Sequence, residues 1–176
     1  MLPANAPRLA ALGCALLCLA AAGCDVKTSD RDLVYLDPPG AVEQLNQRGG
    51  MFEKKRLGAW MDPRPPAKYA EGHIKGAINV PLMEEMEVAR ARLAGYDLVV
   101  VYGEGFQDPV AKAATKKLME AGFKKDSVFV MEGGLRAWQK DGYAVVTGSL
   151  PDGGEPKAAE APRAPGGVEV PEQGAK

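Results

Sequence analysis

Cysteine is the first scarcity. The 176-residue chain has three, Cys14, Cys18 and Cys24, and none downstream. Chemistry that needs a thiol in the folded body is therefore excluded. Histidine is scarcer still, with His73 alone, and no CxxC or HxxxH spacing occurs. That excludes a Cys/His zinc site, and we expect neither metal nor cofactor. Excess positive charge is missing too: 22 basic against 23 acidic side chains leave a formal charge of −1. A nucleic-acid partner is not expected, because binding to phosphates calls for a basic excess or stripe. Long apolar runs are also absent. The stretch 9–23 is uncharged over fifteen residues, short of the roughly 18–20 a spanning helix requires.

What is present at the N-terminus has a pattern of its own. Arg8 is the single cation before that run, which ends in small residues, Ala20-Ala21-Ala22-Gly23. A cationic start, a short apolar core and a small-residue end describe a secretory signal. The segment Leu19-Ala20-Ala21-Ala22-Gly23-Cys24 resembles the lipobox of bacterial lipoproteins, although Ala21 stands where leucine is usual. The resemblance implies a signal over 1–23, cleavage before Cys24, and acylation of Cys24, palmitate included. Plain cleavage near Ala22 is the alternative. Acyl chains contribute roughly 0.8 kcal/mol per buried methylene, enough for a stable anchor when two or three are present. Asp25 follows the cysteine. In enteric bacteria that resembles a signal for inner-membrane retention.

Residues 24–32 read as a polar tether. At the other end, 15 of the 26 residues from Pro151 to Lys176 are Pro, Gly or Ala. Such a composition buries too little apolar surface to offset its ordering entropy, so 149–176 is expected to be a disordered tail. One domain over 33–148 remains. Within it, strands are expected at 33–36, 56–61, 77–80, 98–102 and 127–131, with Tyr143–Thr147 closing the domain. Helices are expected from Pro38 or Pro39 to about Arg48, around 66–70, and over 83–94, 109–121 and 135–141. In the third helix Met83, Met86, the Arg90 stem and Leu93 share a face. Met83, Met86 and Met119 are read as core fillers. Strands alternating with helices on short connections indicate α/β with a mainly parallel sheet.

Several blocks then resemble the rhodanese-homology family. They are Met61-Asp62-Pro63-Arg64, the block from Tyr69 through Gly72-His73-Ile74-Lys75-Gly76-Ala77-Ile78-Asn79-Val80-Pro81, the strand Val99-Val100-Val101-Tyr102, Leu118 to Phe123, and Glu132-Gly133-Gly134-Leu135-Arg136-Ala137-Trp138. The resemblance implies a small domain with a mainly parallel five-stranded central sheet flanked by helices, and an active loop between the central strand and the next helix. On physical grounds Asp62 and Arg64 are expected to form a charge-assisted pair past a strand end. His73 is read as hydrogen-bonded to backbone and Trp138 as core.

In active members of that family a cysteine opens the loop and carries the transferred sulfur. Here the loop is Gly103-Glu104-Gly105-Phe106-Gln107-Asp108. Counting from the strand puts the cysteine's position at Gly103, and counting back from the helix puts it at Gly105. Both are glycine, so no catalytic residue is expected. Asp108 is expected to cap the helix and consume one N–H donor, Glu104 to add negative charge, and Lys112 to offset part of it, leaving a poor anion cradle. A cation held by Glu104, Asp108 and backbone carbonyls is a lesser reading. Phe106 is either an exposed anchor for a partner or folded back onto the domain.

The resulting expectation is a lipid-anchored, non-catalytic binding or scaffold module, a pseudoenzyme facing the bacterial periplasm, with a periplasmic protein partner. The alternatives are an accessory sulfurtransferase or redox component that uses a partner's cysteine, and a structural envelope protein acting through its tail.

Overall fold

The computed structural model describes residues 28–46 and 56–148. The expected signal, Cys24, the first part of the tether and the tail lie outside the described residues.

The β-branched runs form the sheet. The elements in chain order are β1 (Tyr35–Leu36), α1 (Pro38–Asn46), β2 (Gly58–Asp62), α2 (Pro66–Glu71), β3 (Ile78–Asn79), α3 (Met86–Leu93), β4 (Leu98–Val101), α4 (Pro109–Glu120), β5 (Val128–Met131) and α5 (Gly134–Lys140). The sheet has five strands in the order β1-β5-β4-β2-β3. Every neighbouring pair is parallel. The expected α/β class and five-stranded sheet are therefore present.

All four residues of β4 are buried, because helices cover both faces. Leu98 and Val100 point to a cluster with Trp60, Tyr69, Leu135 and Trp138, under α1, α2 and α5. Val99 and Val101 point the other way, to Ala89, Leu93, Ala111, Ala114 and Leu118 of α3 and α4. Alternation along an extended strand sends successive side chains to opposite faces, and a continuous apolar run fits a strand covered twice. Trp60 and Trp138 meet edge to face at 5.1 Å, and the Trp138 indole N–H donates to the Ala144 carbonyl at 3.0 Å.

In the closing segment 143–147, Val146 pairs, antiparallel, with His73, and Tyr143 stacks on Trp138 at 4.3 Å. Two expectations are corrected. The third helix begins at Met86, and Met83 is 90% exposed rather than core. Pro81 and a following turn, with Glu84 N–H donating to the Pro81 carbonyl at 2.8 Å, delay the helix and leave Met83 outside it. Arg90 is exposed, with its guanidinium reaching the Ala121 carbonyl; Ala89 takes the buried position. Met86 and Met119 do pack against the core as expected. Expected boundaries elsewhere hold to within a few residues, and the proposed end of α1 near Arg48 falls outside the described residues.

Candidate functional site

Three loops leave the carboxyl ends of β2, β4 and β5 beside one another. The β4 loop leads to α4 on one face, whereas the β2 and β5 loops lead to α2 and α5 on the other. Loops that part to opposite faces open a crevice at the strand ends, the usual place for a ligand in a parallel sheet.

The β2 end is a built polar network. Asp62 is fully buried. Arg64 grips it through Nε at 2.9 Å from Oδ1 and Nη2 at 2.6 Å from Oδ2. Nη2 also donates to the Gly72 carbonyl at 2.7 Å, and Nη1 to Glu104 Oε2 at 2.8 Å. The expected pair is thus present, and it ties two loops together. Burial works against the guanidinium charge, but the hydrogen bonds and charge of Asp62, with help from Glu104, more than offset it and hold Arg64 more firmly protonated than usual. Asn79 Nδ2 completes the turn by donating to the carbonyls of Asp62 and Arg64, each at 2.9 Å. No signal beyond the Asn79 amide itself pointed to that role.

His73 sits on the far side of the network. Its Nδ1 lies 2.9 Å from the Tyr69 carbonyl, and its ring stacks on Tyr69 at 3.7 Å. Its backbone exchanges two 2.9 Å bonds with Val146. Burial pushes the imidazole below its ordinary pKa, against the opposing pull of the Tyr69 carbonyl and Asp62. The Tyr102 hydroxyl accepts the Ile74 N–H at 3.1 Å, and burial, with the Asp62 charge, pushes its pKa well up.

The loop 103–108 is organised by Asp108. One carboxylate oxygen accepts the N–H groups of Val110 at 2.8 Å and Ala111 at 3.1 Å; the other accepts Glu104 N–H at 2.9 Å. Asp108 therefore consumes three donors, where sequence alone assigned it one. A Cβ placed on Gly103 would lie 2.3 Å from Asp108 Cγ, whereas one on Gly105 would meet only the Arg136 side chain, at 3.5 Å. The Asp108 carboxylate fills the space in front of Gly103; Gly105 faces open room.

Glu104 corrects another expectation. Its carboxylate turns to Arg64 rather than adding negative charge to the helix start, and lies 3.8 Å from Arg136 Nε. Glu104 and Asp108 thus serve different partners. Lys112, beside the loop, pairs with Asp30 at 3.5 Å. Phe106 is 69% exposed at the tip, next to Gln107, whose φ of +50° is the single positive value among described non-glycine residues.

The pair Gly133-Gly134 has a function that sequence reasoning passed over. Both have positive φ, and a Cβ on Gly134 would lie 2.5 Å from the Gly103 carbonyl oxygen. The bare backbone lets the start of α5 come against the loop. There Leu135 N–H donates to the Gly103 carbonyl at 2.9 Å and Arg136 N–H to the Glu104 carbonyl at 3.1 Å. Two adjacent glycines ahead of an apolar helix were the available signal. Beside the loop lies a cavity of about 450 Å³ lined by Tyr35, Gly105, Gln107, Asp108, Lys112 and Glu132, among others.

Residues 44–141 match the family model of the rhodanese-like domain. The chain belongs to the rhodanese-like family. Among solved structures, this rhodanese-like domain is similar to a thiosulfate sulfurtransferase of Pseudomonas aeruginosa, 23% identical with a TM-score of 0.52 over 66% of this chain and 20% of that one. It is also similar to a rhodanese-related protein of Thermoplasma volcanium, 21% identical with a TM-score of 0.50 over 64% and 97%. At those identities the likeness concerns the fold. A curated relative, an HTH-type transcriptional regulator of Mycobacterium tuberculosis, is 28% identical over 127 residues, 71% of this chain and 54% of its own length. The chain spans about half the length of that relative.

Proposed function

We propose that this rhodanese-like domain works by binding, as a scaffold or recognition module, and not by carrying sulfur on its own loop. The observation that carries the reading is the Asp108 carboxylate, which holds two N–H groups at the start of α4 and a third in the loop, and fills the space in front of Gly103. An anionic sulfur donor would have to displace a covalently attached anion from those donors. With glycine at 103 and 105 and no cysteine after Cys24, there is no side chain to take the sulfur. The experiment is a thiosulfate:cyanide transfer assay on the purified protein. Turnover no greater than that of a thiol-free control is expected, and turnover well above it would overturn the reading.

The proposal includes the cell address. Residues 1–23 would be removed as a signal, Cys24 lipidated, and the domain held on a short tether in the bacterial periplasm, at the inner membrane given Asp25, with 149–176 as a loose tail. It rests on the sequence pattern around Cys24. Mass spectrometry of the mature N-terminus tests it: acylated Cys24 is expected.

A second reading keeps the domain in sulfur chemistry through a periplasmic partner's cysteine. It is favoured by the open room at Gly105, with the exposed Arg136 guanidinium beside it. Co-purification of a persulfidated partner, whose transfer is lost on deleting residues 103–108, would support it.

A further inference from the structure

The cavity beside the loop has walls of a definite chemistry. Its volume of about 450 Å³ falls within the roughly 300–1,000 Å³ usual for small-ligand sites. Tyr35 stands opposite Val130 across the β1–β5 pair. Glu132 follows two residues after Val130, and its N–H donates to the Leu36 carbonyl at 2.8 Å, which carries the extended backbone past β5. Alternation then sends Tyr35, Val130 and Glu132 to one face of the sheet. It is the face that α4 covers, since Val130 packs in the same cluster as Ala111 and Ala114. Tyr35 keeps 37% of its surface exposed at the sheet edge. Gln107 of the loop and Ala111 of α4 line the same space.

The charges of that lining are unequal. Asp30, Asp108 and Glu132 stand against one cation, Lys112. Asp108 already holds its three N–H groups, and Asp30 holds Lys116 at 2.7 Å and Lys112 at 3.5 Å. Glu132 differs from both. It is exposed, and its carboxylate has no hydrogen-bond or ion-pair partner among the described residues. Arg136, four residues on, lies by Glu104 instead. An anion entering the cavity would meet three carboxylates. A cation would meet one unpaired carboxylate with an aromatic ring on the same face, and that pair attracts it through charge and ring quadrupole together. A bare metal ion wants several oxygen ligands at once, whereas a single free carboxylate above Val130 and Ala111 suits an organic head on an apolar stem.

We infer that the cavity between β1, β5 and α4 binds an organic cation, an ammonium or guanidinium head, with Glu132 as its counter-ion and Tyr35 as its aromatic wall. The inference rests on the reading of the domain as a binding module and names what the module takes. Such a head is carried by a free amine or by a basic side chain of a partner protein.

The test is an NMR titration of the full, isotope-labelled chain in detergent micelles, followed through backbone amide shifts. Two probes carry the same head: agmatine, free in solution, and the blocked peptide acetyl-glycyl-arginyl-glycinamide. A third, the same peptide with citrulline in place of arginine, keeps the shape without the charge. Saturable shifts at Gly105, Gln107 and Glu132 are expected with a charged probe and not with the citrulline peptide. Tighter binding of agmatine identifies a free amine as the source, and tighter binding of the peptide identifies a side chain. Glu132→Gln, at an exposed and unpaired position, should leave the rest of the spectrum as in the parent and weaken binding about tenfold. Tyr35→Leu should weaken it about threefold. Shifts unchanged in Glu132→Gln, equal shifts from the citrulline peptide, or no saturable shift from either charged probe would overturn the assignment. The binding-module reading would survive that result as long as the same protein transfers no sulfur from thiosulfate to cyanide; transfer would overturn that reading itself.

Discussion

The β2 end and the β4 loop meet at Arg64, and they are held in opposite ways. At the β2 end the charges are buried, and they are neutralised by other side chains: Asp62 by Arg64, with Asn79 closing the turn. In the β4 loop the Asp108 carboxylate is satisfied by backbone N–H groups of its own segment and the helix it starts. The first arrangement is a long-range clamp between loops. The second is a local plug, which occupies the donors that would otherwise face a ligand. The difference teaches that the frame of a rhodanese-like crevice can be complete while its centre is occupied by the protein itself.

The strongest way to break the comparison is Arg64→Ala. It strands a buried Asp62 carboxylate and releases both Gly72 and Glu104, so a loss of about 3–5 kcal/mol is expected in denaturant unfolding. Next comes the plug. Gly103→Cys forces a Cβ into the Asp108 carboxylate and should cost about 1–3 kcal/mol. Gly105→Cys, with ordinary contacts, should stay within about 0.5 kcal/mol of the parent. Asp108→Ala removes a helix cap worth about 1 kcal/mol. The double variant with Gly103→Cys should be more stable than the sum of the singles, a coupling that a double-mutant cycle measures directly. If Gly103→Cys proves harmless, Asp108 does not hold that space in solution.

A third prediction concerns pH. The folded pKa of His73 lies below the ordinary 6.5, so on acidification the unfolded chain takes up a proton before the folded one. Stability should therefore be full above about 6.5 and fall as the pH drops through it, with a smaller slope in His73→Gln. Thermal melts between neutral and mildly acidic pH check the sign. A small effect is expected from Glu104→Gln. Its carboxylate is half exposed, so the loss should be no more than about 1 kcal/mol. Comparing it with Arg64→Ala separates the clamp's buried half from its exposed half.

Much of the frame was legible in the residues. The run Leu98–Val101 had to be covered on both faces, and Asp108-Pro109 had to start a helix, because both follow from local chain geometry. The Asp62–Arg64 pair was legible because two residues apart at a strand end is close enough to meet. Met83 was misread because a turn after Pro81, closed by Glu84, postponed the helix. Glu104 was assigned to the wrong partner because Arg64 is forty residues away in sequence, and only folding brings it near.

By itself, then, the sequence determined that no thiol is available to the loop, that the body is a parallel α/β domain, and which residues stand in the loop. Those are matters of composition and of contacts a few residues long. The tertiary structure decided what fills the crevice: Asp108 in front of Gly103, Glu104 drawn off by Arg64, and α5 pressed against the loop through Gly134. Each of these depends on which strands are neighbours. That order is set by burying two apolar faces at once, which no local pattern specifies.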